Sequence, residues 1–212
     1  TKAFIFGDGE YYFRLKALKV QNMGDTFGRF TALYKYDYKR LYDWINVLDD
    51  INSKSNFLTS MSAYYFSQTQ NTEDVRYVVD YLVHHAEKDI NNKWWWIYQA
   101  AFLSHYRLGD ADLTIQVANK LKNLPKEVAP FWLKQNLAFY FSDNGQDCES
   151  LRILFAAEKE YGDLQNETDP EIRKKKEAEL DYMQRFIGNT IEKLKANKID
   201  VGECLNNLEG KI

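Results

Sequence analysis

With 212 residues, 45% of them apolar and 28% charged, the chain is long enough for a buried core and too apolar to be disordered. Three prolines and ten glycines leave little material for turn-rich β architecture or long flexible linkers. A net charge of -3 argues against a general nucleic-acid or anionic-membrane surface, and the apolar run Trp94 to Tyr98 falls far short of the ~20 residues that cross a bilayer.

The chain opens at Thr1 rather than methionine, which leaves room for an upstream signal or anchor. The stretch "FGDGEYYFRLKALKVQN" predicts a cap at Asp8 and a helix to about Asn22, with Tyr12, Leu15, Leu18 and Tyr11 as its buried stripe. No Gly-Lys-Ser/Thr follows "GDG" and no strand precedes it, so it reads as a helix start rather than a phosphate loop. Gly24 and Gly28 then open a loop to Tyr36, which makes residues 1–37 an N-terminal helix and loop.

From residue 38 the sequence repeats. The segments "NFLTSMSAYYF" (56–66), "KWWWIYQAAFL" (93–103) and "PFWLKQNLAFY" (130–140) align without gaps at an offset of 37 residues. Phe57, Trp94 and Phe131 correspond, as do Leu58, Trp95 and Trp132, and Tyr65, Phe102 and Phe139. Upstream of each lies a second amphipathic segment, in which Tyr38, Leu41, Trp44 and Ile45 fall on Val75, Val78, Tyr81 and Leu82. The third such segment, Leu113 to Leu121, matches after a shift of about two residues, and a fourth follows at 148–160. "QNTED", "LGDAD" and "DNGQD" separate the copies with capping and turn residues. Three neighbouring tryptophans cannot share one helix face, because successive residues lie ~100° apart. Trp94 and Trp96 therefore read as core, and Trp95, in a sector with Gln99 and Tyr106, as a partly wet outer face.

The pattern predicts an all-α protein in which residues 38–160 form an α-solenoid of antiparallel helix pairs. With small Ala63, Ala100 and Ala101 in the second helices, it resembles a degenerate member of the tetratricopeptide-repeat family, whose two-helix units stack into a superhelix. The resemblance implies that the first helix of each pair lines a concave wall. Its outward positions then become a groove: Arg40, Asp43 and Trp44, then Tyr77, Asp80 and Tyr81, then Gln116 and Asn119. An aromatic beside a carboxylate in successive units suits a peptide or helix carrying apolar and basic groups. In the competing reading Trp44 and Tyr81 pack between repeats and the aspartates are merely solvated.

Residues 161–212 hold a capping helix and tail. Thr168-Asp169-Pro170-Glu171 is a helix start, and the helix runs to about Ala196 with Leu180, Met183, Ile187, Ile191 and Leu194 on one face. It either closes the array or binds a partner. Cys148 and Cys204 have neither metal-like nor redox-like spacing, and two thiols make no disulfide framework. That leans towards a reducing compartment, compatible with a cytoplasmic protein or a membrane-anchored soluble domain.

His84, His85 and His105 form no zinc motif, and no nucleophile elbow is present, so neither metal, cofactor nor enzymatic activity is expected. Asp49-Asp50 and Asp110/Asp112 read as carboxylates at helix ends. The function this predicts is a non-enzymatic scaffold that binds another protein, as peptide or helix, in the groove. The alternative is a helical pocket for an apolar small molecule or lipid, suggested by the 16% aromatic content.

Overall fold

The structure, a computed structural model, describes residues 9–21, 32–161 and 168–206, which are helical with no strand among them. They belong to two compact units, residues 1–117 and 118–212, and the division falls inside the predicted repeat region.

In the first unit α1 spans Gly9–Gln21, α2 Tyr38–Ile51, α3 Phe57–Tyr64, α4 Val75–Glu87 and α5 Ile90–Leu103. The Asp37 carboxylate caps α2 by accepting from the Arg40 backbone N–H at 3.0 Å, which satisfies one of the open donors of the first turn. α3 is shorter than the sequence predicts. After Tyr64 the chain tightens into a 3-10 turn, Phe66–Gln68, and the Ser67 hydroxyl bonds back to the Ala63 carbonyl at 2.6 Å. α5 runs on into a π-helical turn, Ser104–Leu108, which ends where Gly109 takes a left-handed φ of 62°.

α2, α3 and α5 all pack on α4. The buried positions follow the 37-residue offset: Tyr38, Leu41 and Ile45 are buried on α2, and so are Val75, Val78 and Leu82 on α4. Trp96 is buried with its indole N–H on the Asn56 side-chain oxygen at 3.0 Å, Trp94 is half-buried, and Trp95 is 36% exposed on the outer side of α5.

α1 packs on α2, but with a different face from the one predicted. Among its described side chains Phe13 is buried, whereas Tyr11, Leu15 and Leu18 are exposed and Tyr12 is half-buried. The helix is oriented by Glu10, whose carboxylate accepts from the Ser55 hydroxyl at 2.7 Å and the Asn52 amide at 2.9 Å. The predicted cap at Asp8 and most of the loop after the helix lie outside the described residues.

α6, Ala111–Lys122, contains the division between the units. In the second unit α7 spans Phe131–Asp143, α8 Asp147–Tyr161, α9 Pro170–Ala196 and α10 Val201–Asn206. α7, α9 and α10 all pack on α8. Asp169 caps α9 by accepting from the N–H groups of Glu171 and Ile172, with Pro170 in the first turn. Met183, Ile187, Thr190 and Leu194 are the buried face of α9, Leu180 and Ile191 are half-buried, and the charged opening turns are exposed.

The cysteines correct the sequence reading. Cys148, at the start of α8, and Cys204, in α10, form a disulfide across 56 residues with their Cα atoms 5.0 Å apart. The short helix α10 brings them together. Cysteine spacing gave no sign of this pairing.

Candidate functional site

α2 carries two apolar faces. One holds Tyr38, Leu41, Tyr42 and Ile45 and is buried. The other holds Trp44, Val47 and Ile51, which are 44%, 51% and 73% exposed. Their spacing of three and seven residues keeps them within ~60° of one another around the helix. Arg40 lies in the same sector, exposed, and Asp43 and Asp50 lie along its edge. Lys39 bridges Asp43 at 2.9 Å, and that hydrogen bond and charge hold its ammonium above the usual lysine range, with smaller effects of Tyr77 and Asp37.

α4 presents Tyr77 and Asp80, both on its exposed side. Arg76 next to them bridges Asp110 at 2.7 Å. Asp80 makes no hydrogen bond or ion pair among the described residues. Although the residue as a whole is exposed, crowding around its carboxyl raises its pKa above the ordinary aspartate value, and Arg76 offsets only part of this. Gln116 and Asn119 are exposed on α6.

Tyr81 does not belong to this surface. It is 1% exposed, its ring lies 5.7 Å from that of Tyr42, and its hydroxyl donates to Asp49 at 3.3 Å. The reason is that α4 packs on α2 and Tyr81 is turned towards it. Val47 and Ile51, which extend the Trp44 stripe, were legible in the sequence as a second apolar period on α2, masked by the stronger period of Leu41 and Ile45.

Asp49 is the second correction. It lies near the end of α2, as expected, yet it is 1% exposed. His85, fully buried, donates through Nδ1 to one of its oxygens at 2.6 Å, and Lys88 donates to the other at 2.9 Å while also holding Asp50 at 2.7 Å. Burial alone pushes the Asp49 pKa up, but the hydrogen bonds from His85 and Lys88 outweigh it and leave the carboxyl below the ordinary range. His85 Nε2 is buried without a partner among the described residues. The pair ties α4 to α2.

An open pocket in the first unit has a volume of about 480 Å³ and is lined by Glu10, Arg14, Asn52, Lys54, Ser55, Asn56, Phe57 and Ser60. Phe57 is the only aromatic there, and Arg14 lies over its ring at 5.6 Å. Among the described residues no three His, Cys, Asp or Glu side chains cluster to hold a metal, and no helix is long and apolar enough to cross a membrane. The sequence matches no protein-family model, and no curated protein or solved structure shows significant similarity to it.

Proposed function

We propose that the protein is a non-enzymatic interaction scaffold, and that its outward face on α2 and α4 receives a helix or extended segment of another protein. The observation that carries this reading is the exposed Trp44–Val47–Ile51 stripe. A run of three large apolar side chains on one exposed helix face costs solubility unless something covers it. The 37-residue offset suggests what does. Trp44 is the repeat counterpart of Tyr81, the residue through which α4 packs on α2. In a tetratricopeptide-like solenoid the Trp44 position therefore corresponds to one at which two helices pack. A partner helix would seat its apolar side chains on Trp44, Val47 and Ile51. A basic side chain beside them would meet Asp80, with Asp43, Arg40 and Tyr77 at the rim. Gln116, on the part of α6 that belongs to the first unit, extends the proposed surface, Asn119 falls in the second unit and is not part of it, and no nucleic acid is implied.

The test is affinity capture from a native lysate with wild-type protein and a Trp44→Ala, Ile51→Lys variant. Both substituted residues are exposed, so the variant keeps its fold. A protein retained by wild type and lost by the variant supports the docking surface. Identical capture by both removes it.

A further inference from the structure

α10 is held on the second unit by little besides its cysteine. Among its described side chains Cys204 alone is buried; Val201 and Leu205 are half-buried, and Gly202 and Glu203 are exposed. The disulfide fastens it to Cys148 in the first turn of α8. Four residues further along α8, the Arg152 guanidinium donates through Nε to the Cys204 carbonyl at 2.5 Å. A helix of six residues is not stable by itself in water, so these contacts decide whether it stays in place.

The turn that delivers α10 works against it. α9 ends with the N–H groups of Lys198 and Ile199 on the carbonyls of Lys195 and Leu194, at 2.9 and 3.0 Å, and this sets Lys198 at a φ of 59°. Glycine takes that left-handed conformation at residues 109 and 145. Lys198 is the only other described residue to adopt it, and its Cβ disfavours it. The core of the second unit, in contrast, needs nothing from α10: Leu133, Leu137 and Phe141 on α7, Leu151 and Leu154 on α8, and Met183 and Leu194 on α9 are all buried.

We propose that the disulfide is a redox latch, whose reduction undocks α10 from α8 while α7, α8 and α9 stay folded. The oxidised pair is the resting state. Cys148 is half-buried and Cys204 is 2% exposed, so Cys148 carries the sulfur that a reductant reaches. With a dithiol as reductant, one thiolate attacks the Cys148 sulfur, the S–S bond breaks, and Cys204 leaves as a thiolate that takes up a proton. The second thiol then attacks the mixed disulfide, releases Cys148 to be protonated in turn, and leaves the reductant as a disulfide. Two electrons and two protons thus pass from the dithiol to the cysteine pair. Cys204 is then no longer pinned, and Lys198 is free to leave the left-handed region. Arg152 loses the Cys204 carbonyl but keeps Glu149 at 2.9 Å. Undocking uncovers the side of α8 that carries Arg152, which Phe155, half-buried, shares by its spacing of three.

The experiment is amide hydrogen exchange on the full chain, read by mass spectrometry, for oxidised protein, for protein reduced with dithiothreitol, and for a Cys148→Ser, Cys204→Ser variant. In both open forms the α10 amides should exchange at least tenfold faster than in the oxidised protein, with α8 and α9 still protected. Equal protection of α10 in all three overturns the proposal, because packing then holds the helix without the disulfide. Loss of protection throughout α7, α8 and α9 on opening also overturns it, and makes the bond a staple of the whole unit. So does a disulfide that dithiothreitol reduces only after denaturation. Every residue changed lies in the second unit, so the outcome is independent of the α2 surface.

Discussion

Replacement of Asp49 by alanine is the sharpest test of how the first unit is held together. The carboxylate is 1% exposed and receives His85 at 2.6 Å, Lys88 at 2.9 Å and the Tyr81 hydroxyl at 3.3 Å. Without it His85 and Tyr81, both buried, lose their acceptor. Each stranded donor costs ~1–3 kcal/mol, and breaking one partner of a buried charged pair costs ~3–5 kcal/mol. Lys88 escapes most of this penalty, because its side chain is 27% exposed and Asp50 still holds it. The expected loss is therefore near the lower bound, about 3 kcal/mol.

Urea unfolding followed by tryptophan fluorescence measures it well, since four of the five tryptophans (44, 94, 95 and 96) lie in the first unit. Tyr81→Phe removes only the long 3.3 Å bond and should cost about 1 kcal/mol or less. Asp49→Ala with His85→Phe should cost less than the sum of the single changes, because the two remove the same hydrogen bond. The pH dependence has a fixed sign. The folded-state pKa of Asp49 lies below its ordinary 3.8, so the stability it contributes is full above that value and is lost as pH falls through the folded pKa. The gap between wild type and Asp49→Asn should thus be constant at neutral pH and close only below about 3.8. A loss under about 1 kcal/mol for Asp49→Ala at pH 7, or a gap that closes near neutrality, would refute the network as described.

Two further changes probe the second unit. The disulfide closes a loop of 56 residues, which by chain entropy stabilises by about 4 kcal/mol; Cys204→Ser and reduction of wild type should each lower stability by that order, and reductant should have no effect on the variant. Mass spectrometry of protein alkylated in its native compartment should find neither thiol modified. Lys134 is 5% exposed and its ammonium donates to the Lys122 and Leu124 carbonyls at 2.6 and 3.0 Å, closing the C-terminal end of α6. Lys134→Met keeps the stem but leaves both carbonyls without that donor, and should cost ~1–3 kcal/mol in thermal unfolding.

What the sequence made legible, and what it did not, follows from which interactions are local. Helix type and the buried stripes of α2, α4 and α9 depend on a period of 3.6 residues and on caps such as Asp37 and Asp169, all written within a few turns. The offset of 37 carried the core positions from Tyr38, Leu41 and Ile45 to Val75, Val78 and Leu82, because the repeated stripes are buried in the same way. It failed at Trp44 and Tyr81, which are equivalent in sequence but not in surroundings. α4 has α2 to pack on in that sector, and α2 leaves the same sector exposed.

The same distinction explains α1. Its sequence has apolar residues on two faces, one with Tyr11, Leu15 and Leu18 and one with Phe13, so periodicity alone could not select the inward face. The selection is made by Glu10, through Asn52 and Ser55, which lie 42 and 45 residues further along the chain. Asp49 with His85, 36 residues apart, and Cys148 with Cys204 are cases of the same kind. Each is a pairing that no window along the chain contains. The surfaces left outward by these pairings, Trp44–Val47–Ile51 on α2 and Tyr11–Leu15–Leu18 on α1, are therefore set by distant polar contacts. A change at Glu10 should reorient α1 and its outward stripe while leaving the α2 surface in place, which separates the two surfaces experimentally.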